Sequence, residues 1–254
     1  MRRLLSPATL AAVALTATLA WTACGSDNSD KIVVKSGGGT QIRATPFATV
    51  PAPEGPIPTR TADFASLCLK TNQRQWSSMP PMIIDPNLSY SATIRTEKGD
   101  IIIKLLPDIA PYTVNNFVFL ACSGFYDGLT FFRVAQKPLP EGIPHPFAQA
   151  GDPSERGFYD PVRGGPGYFI PEELSDRKFL AGTVGMSSGG RGTPVSGSQF
   201  FIVFEEAPEL DGQYTIFGEV TSGLDVLESL TPHNPQRDAT PGDKILEIVI
   251  QEGQ

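Results

Sequence analysis

Histidine and cysteine are scarce in this chain, with two histidines (His145 and His233) and three cysteines (Cys24, Cys68 and Cys122) among 254 residues. A zinc site of the usual four nitrogen or sulfur ligands would consume nearly every candidate, and neither a CxxC nor an HExxH spacing occurs, so no metal centre is expected. Positive charge is also short. Lys and Arg number 20 against 27 Asp and Glu, the formal net charge is −7, and no basic cluster forms that could follow a phosphate backbone. Nucleic acid is thereby excluded as a partner. The glycine-rich stretch from Arg163 to Gly167 lacks the lysine and the Ser/Thr of a phosphate loop, so no nucleotide cofactor is implied. A spanning helix is missing as well. The uncharged apolar run from Ala8 to Trp21 is shorter than the roughly 20 residues that cross a bilayer.

Turn-forming residues are plentiful instead, with 25 glycines and 24 prolines, which points to a mainly β protein with few long helices. Residues 1–23 combine Arg2 and Arg3, that apolar run and small residues before Cys24, the pattern of an export signal. The ending Thr22-Ala23-Cys24-Gly25 resembles a bacterial lipobox, apart from Trp21 where an aliphatic or small residue is usual. That resemblance implies lipidation of Cys24 and an extracytoplasmic, membrane-anchored protein, with an uncleaved anchor or simple secretion with a free Cys24 as the alternatives. Outside the cytoplasm, Cys68 and Cys122 are free either to pair or to remain separate thiols. Residues 24–60 carry a triple glycine and prolines at 46, 51, 53, 56 and 58, the composition of an extended tether. A short pre-domain segment follows over 61–87, with one short helix predicted within 63–79 and Asp63 as its N-cap.

The main domain is predicted over 88–252. Tyr90, Ala92 and Ile94 alternate ahead of Glu97-Lys98-Gly99-Asp100 and the apolar run Ile101 to Leu106, which reads as a hairpin. Val114, Phe117, Val118 and Ala121 then repeat at helical spacing behind Pro111. Further strands are predicted at 129–134, 147–150, 182–186, 199–204, 214–220 and 244–251, and a second helix at 223–230. Many short strands with glycine-rich corners suggest a closed antiparallel barrel, because closure removes exposed edges.

Gly185-Met186-Ser187-Ser188-Gly189 matches the GxSxG of serine hydrolases, but the glycine-rich 189–197 cannot supply the helix that such an elbow requires. A different set of motifs is more informative. Phe131-Phe132-Arg133, Phe147-Ala148-Gln149-Ala150-Gly151-Asp152, Gly197-Ser198-Gln199-Phe200-Phe201 and Leu210-Asp211-Gly212-Gln213-Tyr214 follow in order, with Thr113-Val114-Asn115-Asn116-Phe117 and Gly164-Gly165-Pro166-Gly167-Tyr168 in their proper places. Over about residues 88–252 the chain resembles the cyclophilin-type peptidyl-prolyl isomerases. The resemblance implies a closed eight-stranded antiparallel barrel capped by two α-helices, a proline-binding groove, no cofactor, and proline-containing polypeptides as partners. A monomer is expected.

By the same resemblance, Arg133 is the catalytic cation, Gln149 holds the substrate backbone and orients Arg133, and Phe201 completes the catalytic set. Phe147, Met186, Ser188, Leu210, Tyr214 and Phe132 are implied in substrate binding. The chain departs from the family at several of these places. Phe132 and Tyr214 stand where histidine is usual or frequent, so no imidazole is expected in the groove. Glu209 replaces the tryptophan of cyclosporin-sensitive members, which implies weak cyclosporin binding. The stretch between Arg133 and Gln149 is longer than usual, and Pro146 falls where an apolar wall residue is expected. Two alternatives to an enzyme are a proline-peptide binding module or chaperone on the same fold, and a structural surface protein. Arg133 argues against the first, because a pure binder has no use for a cation at the prolyl nitrogen.

Overall fold

The computed structural model describes residues 48–57, 60, 62–71 and 73–253. The export signal over 1–23 and the lipidation site Cys24 lie outside the described residues.

Alternation builds the first hairpin. In β1 (Ser89–Thr96) Tyr90, Ala92, Ile94 and Thr96 turn inward, and they meet β2 (Gly99–Leu105) with Ala92 opposite Ile103 and Ile94 opposite Ile101. Gly99 closes the turn at φ +135°, a conformation that side chains other than glycine rarely adopt. The chain then enters α2 (Pro111–Cys122), preceded in sequence by a short α1 (Phe64–Leu67). Proline at the first helical position costs no hydrogen bond. The N-cap Ala110 has no side-chain acceptor, so Glu173 supplies one from a distance, accepting from the N–H groups of Tyr112 and Thr113 at 3.0 and 2.8 Å. Burial raises the pKa of this carboxyl, and those hydrogen bonds oppose the shift.

The remaining elements are β3 (Arg133–Ala135), β4 (Phe147–Ala150), β5 (Phe169–Ile170), β6 (Thr183–Ser188), β7 (Val195–Val203), β8 (Ile216–Ser222), α3 (Leu224–Ser229) and β9 (Ile245–Gly253). They form one curled antiparallel sheet in the order β3-β4-β7-β6-β8-β2-β1-β9, with β5 added beside β7. Two expectations are corrected here. The described strands number nine rather than eight, because the short β5 lies in a stretch with no alternating signal. The sheet is a half-barrel, not a closed barrel: the end strands β3 and β9 do not pair, and among the described residues only the isolated bridges Thr130–Lys244 and Val134–His233, which involve residues outside those strands, lie at the gap. The strand predicted over 129–134 is correspondingly reduced to β3.

Period-two alternation sorts the side chains into two layers. On the inner face Ala92, Ile94, Ile101, Ile103, Val134, Ala148, Val184, Phe200, Ile202 and Phe217 pack with Phe117 and Val118 of α2. The Phe117 ring lies 5.6 Å edge-on from Phe200 and 5.2 Å from Phe217. Ala135, Phe147, Phe201 and Val203 face the other way and form a second cluster with Phe179, Leu210 and Ile216.

The pre-domain segment expected over 61–87 is tied to the main domain at several points. Its helix is four residues long and Asp63 makes no side-chain cap. A disulfide joins Cys68 to Cys122 at the end of α2. Arg60 forks onto Glu252 of β9, which also accepts from the Tyr90 hydroxyl at 2.8 Å. Lys70 reaches Asp127 at 2.9 Å and Glu247 at 3.2 Å.

These contacts carry a pH dependence. The side chains of Lys70 and Arg95 hold the Glu247 carboxyl below its usual range, and Arg60 does the same for Glu252. A depressed carboxyl pKa means that the unfolded chain binds more protons, so the contribution is complete above about pH 4.3 and is lost as pH falls through the depressed values. Glu252→Gln is therefore expected to lower the urea midpoint at pH 7 and to differ less from the parent at pH 3. A gap of the same size at both pH values would refute this.

Candidate active site

One row of register partners crosses the outer face of the sheet. Arg133 of β3 is opposite Gln149 of β4, Gln149 is opposite Phe201 of β7, and Phe201 is opposite Gly185 of β6. Adjacent strands lie about 5 Å apart, so a cation, an amide and a phenyl ring stand side by side. The order of the motifs along the chain thus becomes a line across the fold.

Arg133 is half-buried, and among the described residues no carboxylate or carbonyl is within hydrogen-bonding or ion-pair reach of its guanidinium. Arg156, Arg191 and Arg237 also lack partners but are exposed, where water serves them. Arg133 is backed by the 152–158 loop, which the buried Asp152 shapes by accepting from Ser154 N at 2.7 Å, Gly157 N at 2.6 Å and Phe158 N at 3.0 Å. Gly157, at φ +74°, lets that loop lie close: a Cβ there would sit 3.4 Å from Arg133 Nη2 and 3.3 Å from Phe132 Cε2. Gln149 is oriented by Ser187 and Gln199, since its Nε2 donates to Ser187 Oγ at 3.1 Å and to Gln199 Oε1 at 3.3 Å.

The apolar floor is a stack of rings. Phe201 lies nearly parallel to Phe179, with centroids 5.6 Å apart, and Tyr214 meets Phe201 edge-on at 5.4 Å. The Phe179 main chain is pinned by Asp211, whose Oδ1 accepts from Phe179 N at 2.9 Å. Leu210 belongs to the same cluster at the end of a 3-10 turn (Pro208–Leu210), as does Phe147. Gly185 is required beneath the stack because a Cβ would fall 2.6 Å from Phe201 Cζ and 2.9 Å from Phe179 Cε1. Gly185→Ala is accordingly expected to destabilise the fold by about 1–3 kcal/mol and to reduce turnover by displacing Phe201. Thermal unfolding and a peptide assay check this together, and a parent-like midpoint would contradict it.

Several residues singled out from the sequence lie elsewhere. Met186 is fully buried in the inner core opposite Phe200, because alternation along β6 turns Gly185 and Ser187 outward and Met186 inward. Ser187, not Met186, is the β6 side chain that meets Gln149 on the outer face. Phe132 also has no exposed surface, and its ring lies against Gly157 of the 152–158 loop next to Arg133, so it backs the site without lining it. The Ser188 hydroxyl accepts from Gly190 N at 3.1 Å and so shapes the following turn. Gln149 is not bonded to Arg133; its amide is committed to Ser187 and Gln199.

An imidazole does border the hollow, contrary to expectation. The long stretch between β3 and β4 packs Leu139 and Ile143 against the phenyl cluster and brings His145 to 5.9 Å from the Phe147 ring. His145 Nδ1 lies 2.6 Å from Glu209 Oε1, which ties the loop to the 3-10 turn. No spacing rule identifies this pair, since its members are 64 residues apart. Phe179, likewise, lies in a coil segment without periodicity and has no sequence signal as a floor residue.

A curled antiparallel sheet with few helices, bearing beside an aromatic cluster on its outer face a cation with no partner among the described residues, defines a cyclophilin-like protein. The family model described as cyclophilin type peptidyl-prolyl cis-trans isomerase/CLD matches residues 91–250. A peptidyl-prolyl cis-trans isomerase of Synechococcus elongatus is 44% identical over 161 residues, covering 63% of this chain and 94% of that protein. Peptidyl-prolyl cis-trans isomerase B of Bacillus subtilis is 44% identical over 130 residues, 50% of this chain and 80% of that one. Among solved structures, a Cryptosporidium parvum cyclophilin type isomerase superposes with a TM-score of 0.53 at 29% identity, covering 65% of this chain and 99% of that chain. A second crystal structure of that protein, obtained in the presence of the dipeptide Ala-Pro, gives 0.52 at 28% identity and covers 63% and 98%. The chain belongs to the family of cyclophilin-type peptidyl-prolyl cis-trans isomerases, and its activity is that of an isomerase.

Proposed function

We propose that the outer-face hollow is where this isomerase rotates X-Pro bonds of exported polypeptides, with Arg133 as its catalytic cation. Rotation about an amide must break its resonance against a barrier of about 18–20 kcal/mol. The twisted state has a pyramidal, basic prolyl nitrogen, whereas both planar isomers have a delocalised one. A donor aimed at that nitrogen therefore stabilises the transition state more than either ground state. Arg133 suits the role because it is charged at any working pH and offers five N–H groups. The ring of Phe201, with Phe147, Leu210 and Tyr214, accepts the pyrrolidine and keeps the surroundings apolar, and Gln149 binds the peptide backbone. The two isomers differ by only about 0.5–1 kcal/mol, so no energy source is needed.

The observation that carries this reading is the half-buried guanidinium without a partner in the row Arg133-Gln149-Phe201. A module that only bound proline peptides would gain nothing by leaving such a group unpaired. The test is a protease-coupled assay on a proline tetrapeptide, in which the chain is expected to accelerate cis to trans conversion; no acceleration would reject it. The cellular setting is proposed from the N-terminal sequence: cleavage before Cys24, lipidation of its thiol, and a tether over 24–60 that holds the domain off the membrane. The Cys68–Cys122 disulfide supports an oxidising compartment. Mass spectrometry of the mature N-terminus decides the anchor, an unmodified Cys24 being the result against it. The folded unit is proposed to be a monomer.

A further inference from the structure

Residues 60–88 precede the 91–250 segment that defines the family, yet they touch the loop behind the candidate site. Gln75 Nε2 donates to Val162 O at 2.9 Å and Gly165 O at 2.8 Å, and Trp76 N donates to Pro166 O at 2.8 Å. On its other side the same loop is held by Gln199, whose Nε2 donates to Gly164 O at 2.8 Å and Phe158 O at 2.7 Å. With both amide hydrogens committed, Gln199 must present Oε1 outward, and that oxygen accepts from Gln149 Nε2.

Two glycines mark how closely the parts are fitted. Gly167 has φ +104°, and a Cβ there would be 2.4 Å from Trp76 O; a Cβ on Gly164 would be 2.9 Å from Gln199 Nε2. The N-terminal segment is fixed on both sides of Gln75. Before it stands the disulfide to Cys122; after it, Asn115 of α2 accepts from Ile83 N at 2.7 Å and donates to Pro81 O at 3.1 Å. The Trp76 indole packs edge-on against Phe119 at 5.4 Å.

We propose that Gln75 is a positioning residue for the isomerase reaction: it fixes the 160–167 loop, the loop fixes Gln199, and Gln199 orients the amide of Gln149. The proposal rests on the reading of Gln149 as a groove residue. It makes the N-terminal segment a working part of the enzyme, beyond its role as a connection to the tether.

The test uses the full mature chain. Gln75→Glu keeps the size of the side chain but turns its donor into oxygens that face two carbonyl oxygens. One hydrogen-bonded link in the chain is then lost, and kcat/KM on a proline tetrapeptide is expected to fall about fivefold while the thermal midpoint stays within about 2 °C. The side-chain amide resonance of Gln149 is expected to move in the same variant. Gln75→Lys restores a donor of similar reach and is expected to bring both readouts back toward the parent. Gly167→Ala, which pushes the segment away at Trp76, is expected to move the Gln149 resonance in the same direction as Gln75→Glu. A parent-like rate with an unmoved Gln149 resonance overturns the proposal, as does a loss of rate that follows only a loss of fold with that resonance unmoved. The resonance can be read whether or not the chain turns over the peptide, so failure of the catalytic reading is distinguishable from failure of this one.

Discussion

Arg133→Ala is expected to reduce kcat/KM for a proline tetrapeptide by roughly ten- to a hundredfold, the equivalent of one charge-assisted hydrogen bond of about 1.5–3 kcal/mol made only in the transition state. The loss should appear in kcat more than in KM, because the planar peptide does not use the bond. It should also be independent of pH across the neutral range, since the guanidinium does not titrate there. The thermal midpoint should hold, because Arg133 has no ion pair to lose. Arg133→Lys keeps the charge without the fork of donors and should fall between the two. Equal rates for Arg133→Ala and the parent would reject the mechanism.

Removing the disulfide, as Cys68→Ser with Cys122→Ser, is expected to cost about 4 kcal/mol, taken from the chain entropy of closing a loop whose ends are 54 residues apart. For a folded unit of this size that corresponds to a midpoint lower by roughly 8–16 °C. The effect should be reproduced by a reductant on the parent and absent when the reductant is added to the double variant. A midpoint that is unmoved in the double variant would show that Arg60, Lys70 and Trp76 hold the segment without covalent help.

Much of the fold was legible because a strand advertises its buried side every second residue, as Tyr90, Ala92 and Ile94 do. The family resemblance names Arg133, Gln149 and Phe201 as one set, and the register of β3, β4 and β7 places the three in one row, which the sequence does not state. Errors came where that logic stops. Met186 is conspicuous as a hydrophobic residue, but parity on β6 decides its direction, and one step along the strand exchanges core for groove. The attachment of Arg60 and the 61–87 segment has no sequence signal because their stabilising partners, Cys122, Glu252 and the 162–166 carbonyls, are far away in sequence. His145 was discounted for the same reason: its position depends on how a long insertion folds back over Glu209. Closure of the barrel was inferred from an abundance of strands, whereas the gap is filled by single bridges from a coil.

That gap bears on the company the enzyme keeps. Its proposed substrates are proline-containing polypeptides, and an extended polypeptide can add itself to a rim of free amide groups that a β-sheet offers. On the β3 rim, Val134 and His233 exchange both of their main-chain hydrogen bonds, at 2.9 and 3.0 Å. At the opposite rim Ile245 donates to Leu129 at 2.8 Å, and farther along β9 the charged Glu247 and Glu252 are engaged by Lys70, Arg95 and Arg60. Main-chain bridges at the two ends of the gap and charged side chains along β9 leave less of either border open to an extended chain that would otherwise join as an extra strand.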